Sequence, residues 1–200
     1  MIFGVAPQAN IPQIITQLKT LWGTEGAEPY SSGSPYSNLI SPFVTAFEIE
    51  AHYLAGDSAG AEELLHKTWD KMIDSNNPYH TGAFWENYAP NGTPDQARVS
   101  LAHGWAGGPT AIMTSYVLGV SPADPGYKTF TVTPHVGSLS WADGVVPTPY
   151  DSVDVSWKIG KRYSLAVEAP AGTTAQITVP GDGGDTERTV QGGSSQTVTW

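Results

Sequence analysis

The sequence predicts an α+β chain: a partial α/α toroid of about four helices over residues 1–120, followed by a small antiparallel β-sandwich over residues 121–200. Apolar residues recur at helical spacing through most of the first part. After Ser121 the period changes to two, with short alternating runs separated by Gly, Asp and Pro turns. The link after Leu54 is too short for anything but an antiparallel pair of helices.

The elements follow in order. Asn10 caps a first helix with Pro12 in its first turn, and Ile11, Ile14, Ile15, Leu18, Leu21 and Trp22 form its apolar face before Gly23 stops it. Residues 23–40 read as loop, in which Tyr30, Tyr36 and Asn38 are candidates to line a cleft. Ser41 and Pro42 open a second helix with Phe43, Ala46, Phe47, Ala51 and Leu54 as its apolar face and Gly56 at its end. Glu50 falls nearer that stripe than Glu48, and so is the one expected to be partly buried. Asp57 or Ser58 caps a third helix through Ile73. Val99 to Leu118 reads as a fourth, opened by Ser100 and ended by Gly119. Gly104, Gly107, Gly108 and Pro109 loosen its middle and suggest a close approach of backbone to a neighbour or ligand. The runs TFTVTP, SLSWADG, VDVSWKIG, RYSLAVEA, AQITVP, RTVQGG and SQTVTW then give about seven strands. GDGGD at 181–185 lacks the spacing of a calcium loop and reads as a hairpin turn.

Tyr79 to Pro109 stands apart from these elements, because it gathers Trp85, Glu86, His103 and Trp105 among glycines too frequent for a core element. Sugars present C–H faces that stack on aromatic rings and hydroxyls that need donors and acceptors, so this composition suits a sugar site. A carboxylate there is also placed for acid–base work. The competing reading makes Phe84 and Trp85 core aromatics, with Glu86 and His103 satisfying loop backbone.

Three segments carry a family resemblance: ISPFVTAFEIEAHYLAGD at 40–57, GAFWENY with SLAHGWAGGPT at 82–110, and YVLGVSPADPGYKTFTVTPHVGSLSWADGVVPTP at 116–149. In this order and combination they resemble the C-terminal part of the α-L-rhamnosidases of glycoside hydrolase family 78. The resemblance implies the last helices of an (α/α)6 barrel and an accessory β-domain. It places the family's water-activating glutamate on Glu86 and its sugar-binding histidine and tryptophan on His103 and Trp105, with Trp85 walling the same pocket. An inverting glycosidase needs a second carboxyl group as general acid, and nothing in this chain matches the family's acid. The resemblance therefore implies a C-terminal fragment acting on rhamnose-containing glycosides or polysaccharides, inactive by itself, that needs the missing N-terminal barrel portion or self-associates. The alternative from another class is a non-catalytic carbohydrate-binding or structural module.

Composition narrows the other classes. With 19 acidic against 9 basic residues the net charge is -10, which repels phosphate backbones and argues against nucleic acid. There is no cysteine, so no disulfide forms. No run is apolar enough for a membrane span, and MIFGVAPQAN lacks the basic start of a signal peptide; the compartment stays open. His52 and His66 lack metal-ligand spacing and read as packing or surface residues, so no metal or cofactor is expected. No Walker or GxGxxG motif is present.

Overall fold

A computed structural model describes residues 1–28, 39–94, 99–179 and 185–199. Tyr30, Tyr36, Asn38 and most of the 181–185 turn lie outside the described residues. The chain forms two compact units, Met1–Ile112 and Met113–Trp200.

In the first unit, α1 (Ile11–Lys19) follows a 3-10 turn at Gln8–Asn10. Asn10 makes no side-chain cap: its backbone is already helical, so the expected cap gives way to the 3-10 entry. The helix also ends before Gly23, and Trp22 instead pairs as an isolated bridge with Ala27. α2 (Pro42–Leu54) and α3 (Ser58–Ile73) form the expected hairpin. Asp57 caps α3, accepting the Gly60 N–H at 3.2 Å.

The buried face of α2 differs from the expected one. Pro42, Thr45, Ile49, His52 and Tyr53 pack inward on α3, whose Ala61, Leu64, Thr68, Trp69 and Met72 are buried in turn. Phe43, Phe47 and Leu54 stay exposed. The choice follows from partners that periodicity does not weigh. His52, wholly buried, sits with Nδ1 2.7 Å from Asp57 Oδ2, and Lys19 Nζ reaches the same oxygen at 2.6 Å. Trp22 Nε1 donates to Glu48 Oε1 at 2.6 Å, and the Glu48 side chain is only 9% exposed, so Glu48 is withdrawn from solvent as well. Glu50 is half-buried, and desolvation raises its pKa.

Burial works to raise the pKa of Asp57, but the bonds from Lys19, His52 and the Gly60 N–H, with the Lys19 charge, outweigh it and hold the carboxyl below its ordinary 3.8. A carboxyl depressed in the folded state contributes stability above its unfolded pKa and loses it as pH falls through the folded value. Denaturant midpoints measured across pH should therefore drop on the acid side. Asp57→Asn should flatten that arm and cost about 1–3 kcal/mol at neutral pH; an unchanged acid arm would show that Asp57 does not link α1 to α3.

The fourth helix is broken. Residues 99–103 are irregular, a 3-10 turn covers Gly104–Ala106, α4 is only Gly108–Ile112, and a π-helical turn follows at Met113–Val117. The glycines and Pro109 weaken helix propagation, and the backbone of Ser100 and His103 bonds instead to that of Phe84 and Glu86. Gly108 is needed where α4 meets α2, since a Cβ there would lie 2.5 Å from Ala46 Cβ.

The second unit holds eight strands among the described residues: β1 (Val120–Pro122), β2 (Thr129–Val132), β3 (Trp141–Thr148), β4 (Asp151–Ile159), β5 (Tyr163–Ala169), β6 (Thr174–Val179), β7 (Thr186–Gln191) and β8 (Ser194–Thr199). Two four-stranded sheets, β1-β2-β6-β7 and β3-β4-β5-β8, share one core in which Phe130, Val132, Ala175 and Ile177 meet Val153, Val155, Trp157, Leu165 and Val167. The pairings are antiparallel except β2 with β6, which is parallel. β1 is the strand missed by periodicity, being three residues long. Trp157 Nε1 donates to the Val117 carbonyl at 2.8 Å, tying the π-helical turn into this unit. No described helix is long and apolar enough to cross a membrane.

Candidate functional site

The site in the first unit is built by two backbone seams. Ile40 and Tyr88 exchange both N–H···O bonds, at 2.7 and 3.1 Å, fixing one end of residues 84–88. At the other end the Glu86 N–H donates to the Ser100 carbonyl at 2.9 Å and the His103 N–H to the Phe84 carbonyl at 2.8 Å. The second seam brings Glu86 and His103, distant in sequence, onto neighbouring strands of chain. Thr81 Oγ1 reinforces it by donating to the Leu101 carbonyl at 2.7 Å.

Glu86 Oε2 accepts the Ser100 N–H at 3.0 Å and lies 3.9 Å from His103 Nδ1. Both side chains are partly exposed, at 36% and 26%. The other imidazole nitrogen, Nε2, is buried without a hydrogen-bond partner among the described residues. The His103 ring meets Trp105 edge to face, with centroids 5.4 Å apart. Trp105 is 67% exposed; its 3-10 turn is clipped to α3 by Trp69 Nε1, which donates to the Ala106 carbonyl at 2.9 Å.

Glu86, His103 and Trp105 are thus brought together on one open surface, whereas Trp85 is not. The Trp85 indole is fully buried, edge-on to Tyr79 and Tyr88, and the Trp85 backbone N–H donates to Met72 Sδ at 3.4 Å. It does not wall an open pocket, because the ring is withdrawn from solvent and packed edge-on against the two tyrosines. Sequence reasoning also missed part of the surface. Phe43 lies tilted against Trp105 with centroids 5.0 Å apart, and Phe47 lies edge-on to Phe43 at 5.2 Å, so the aromatic row continues along α2. Behind His103 a groove of about 490 Å³ is lined by Met72, Ile73, His80, Phe84 and Ala102. Only the exposed side of α2 could have announced the aromatic row, and amphipathicity pointed those rings inward. Among the described residues no group of three or more His, Cys, Asp or Glu could hold a metal.

The arrangement has the chemistry of a sugar-handling surface: a carboxylate, an imidazole and a row of exposed rings. Comparison with known proteins gives one class, the glycoside hydrolases. Residues 119–194 match the family described as bacterial alpha-L-rhamnosidase C-terminal domain, and this stretch is similar to that domain. An alpha-L-rhamnosidase of Alteromonas sp. (strain LOR) is 31% identical over 133 residues, which cover 63% of this chain and 14% of that protein. Among solved structures, the alpha-L-rhamnosidase of Streptomyces avermitilis, complexed with L-rhamnose, superposes with a TM-score of 0.68 at 21% identity, over 78% of this chain and 17% of its own. The GH78 rhamnosidase of Bacillus sp. GL1 gives 0.61 at 30% identity, over 70% and 15%. The chain spans about one seventh of the length of the curated relatives it matches.

Proposed function

We propose that this chain supplies the C-terminal part of an inverting α-L-rhamnosidase, with Glu86 as the general base that activates water and His103 and Trp105 as contacts to a terminal rhamnosyl group. What supports the reading is the Glu86 carboxylate, oriented by the Ser100 N–H and left open to solvent beside His103 and Trp105. In an inverting hydrolase the base and the acid stand about 6.5–9.5 Å apart, on opposite faces of the sugar. The acid would come from a preceding part of the barrel, since the sequence offers no match for it here. That same part would cover the exposed row of Phe43, Phe47 and Trp105 and the nearby Leu54.

One comparison tests the proposal. The isolated 200-residue chain should self-associate in sedimentation and give no turnover of an aryl α-L-rhamnoside. Fused behind the N-terminal portion of a related rhamnosidase, it should become monodisperse and release rhamnose first as the β anomer, read by proton NMR. Release of the α anomer would overturn the inverting assignment. Sugar binding without turnover in the fusion would favour a binding module instead.

A further inference from the structure

We propose that the outer face of the β3-β4-β5-β8 sheet is a separate carbohydrate platform, on which a neutral pyranoside stacks against Trp141 and hydrogen-bonds to Asp143, Ser156, Lys158 and Thr197. The inference does not depend on what Glu86 does. It would stand if the chain took no part in hydrolysis.

The sheet's register creates the site. Inward side chains of β4, Val153, Val155 and Trp157, belong to the core, so Asp154, Ser156 and Lys158 face outward. Trp141 pairs opposite Lys158, Asp143 opposite Ser156, Ser156 opposite Ala166, and Ala166 opposite Thr197. The middle of the face is therefore paved with small side chains, and a bulky one stands at its edge. The result is a trough of about 450 Å³ beside Trp141, adjoined by a second of about 260 Å³ that shares Asp143, Ser156 and Ala166. The larger trough falls in the range of ligand clefts, about 300–1,000 Å³.

Trp141 is 62% exposed on the edge strand β3, and among the described residues no ring or cation is stacked on it. An indole left bare beside hydroxyls, a carboxylate and an ammonium group offers what one pyranose ring needs: a flat apolar face and a fan of donors and acceptors. The charges select the occupant. Asp143, Asp154 and Glu168 on the same face, in a chain of net charge -10, repel phosphates and uronates, which leaves neutral sugars. A protein partner fits less well, since docking one here would bury Lys158, Asp154 and Glu168 away from water without partners of its own choosing.

The test uses the whole 200-residue chain with its tryptophan indoles labelled with nitrogen-15, titrated with methyl α-L-rhamnopyranoside, methyl β-D-glucopyranoside and a methyl uronoside. The Trp141 indole signal, identified by its loss in Trp141→Ala, should shift saturably with the neutral glycosides and not with the uronoside. Since a stacked ring contributes a modest increment, Trp141→Ala should weaken retention on a neutral polysaccharide by about three- to tenfold. Ala166→Leu, which raises the trough floor, should weaken it comparably with unchanged thermal melting. Trp105→Ala should leave the Trp141 shift intact. The proposal is overturned if the Trp141 signal stays fixed in all titrations, if it moves only when Trp105 is present, or if Trp141→Ala alters self-association and not sugar retention.

Discussion

Replacing Glu86 by glutamine in the fused enzyme should lower kcat by about 10²- to 10⁴-fold while leaving KM within a few-fold, the usual range for removing a positioned acid or base. The amide keeps the length of the carboxylate and can still accept the Ser100 N–H with its carbonyl oxygen, so the local backbone has no reason to move. What it loses is the capacity to take a proton from water and the negative charge 3.9 Å from His103 Nδ1. A purely structural Glu86 would behave differently: glutamine would be nearly silent in kcat, because the Ser100 bond survives. Turnover within about threefold of the parent, with unchanged melting, would leave Glu86 as a loop-satisfying group. His103→Ala in the same assay separates binding from chemistry, since a sugar contact removed from ground and transition states alike raises KM more than it lowers kcat.

Local chemistry was the part of this chain that could be read in advance. The Ser41-Pro42 start, the Asp57 cap and the alternation of Val153, Val155 and Trp157 each depend on residues close in sequence, and each forms as the sequence predicts. Choices settled by distant partners were not readable. Period alone gives α2 two plausible apolar faces, and the one with His52 is buried because Asp57, Glu48 and Trp22 lie on that side to receive the imidazole. Likewise β2 alternates as any strand does, and nothing in TFTV distinguishes a parallel partnership with β6 from an antiparallel one. The broken fourth helix is half legible: its glycines mark where the helix weakens, but nothing local tells that residues 100–103 bond to 84–86 and so build the site. The proximity of Glu86 to His103 follows the motif resemblance, whereas the inward turn of Trp85 follows the competing reading of it as a core aromatic, a choice that the run Phe-Trp-Glu does not decide.

Trp85→Ala should destabilise the helical unit by about 3–5 kcal/mol, the range for emptying a large buried aromatic site. Native domains have only about 5–15 kcal/mol in hand, so this change brings the unit close to unfolding. The ring is fully buried and edge-packed against Tyr79 and Tyr88, and the residue's backbone N–H is held by Met72 Sδ. Trp85→Phe should be far milder. It gives up part of the packing, but it also removes an indole N–H that is buried without a partner among the described residues, and an unsatisfied donor costs about 1–3 kcal/mol. The pair of variants therefore separates a core pillar from a sugar wall. A pillar predicts a large shift in denaturant midpoint for alanine, a small one for phenylalanine, and near-parental sugar binding in the phenylalanine form. A wall predicts the reverse: modest stability effects in both and binding lost with the indole. Because Trp85 is anchored inward while its neighbour Glu86 remains 36% exposed, the ring holds the backbone from which the carboxylate projects. Activity in the fused Trp85→Phe enzyme should consequently follow the position of that backbone, staying within about tenfold of the parent as long as the phenyl ring still fills the space between Tyr79 and Tyr88.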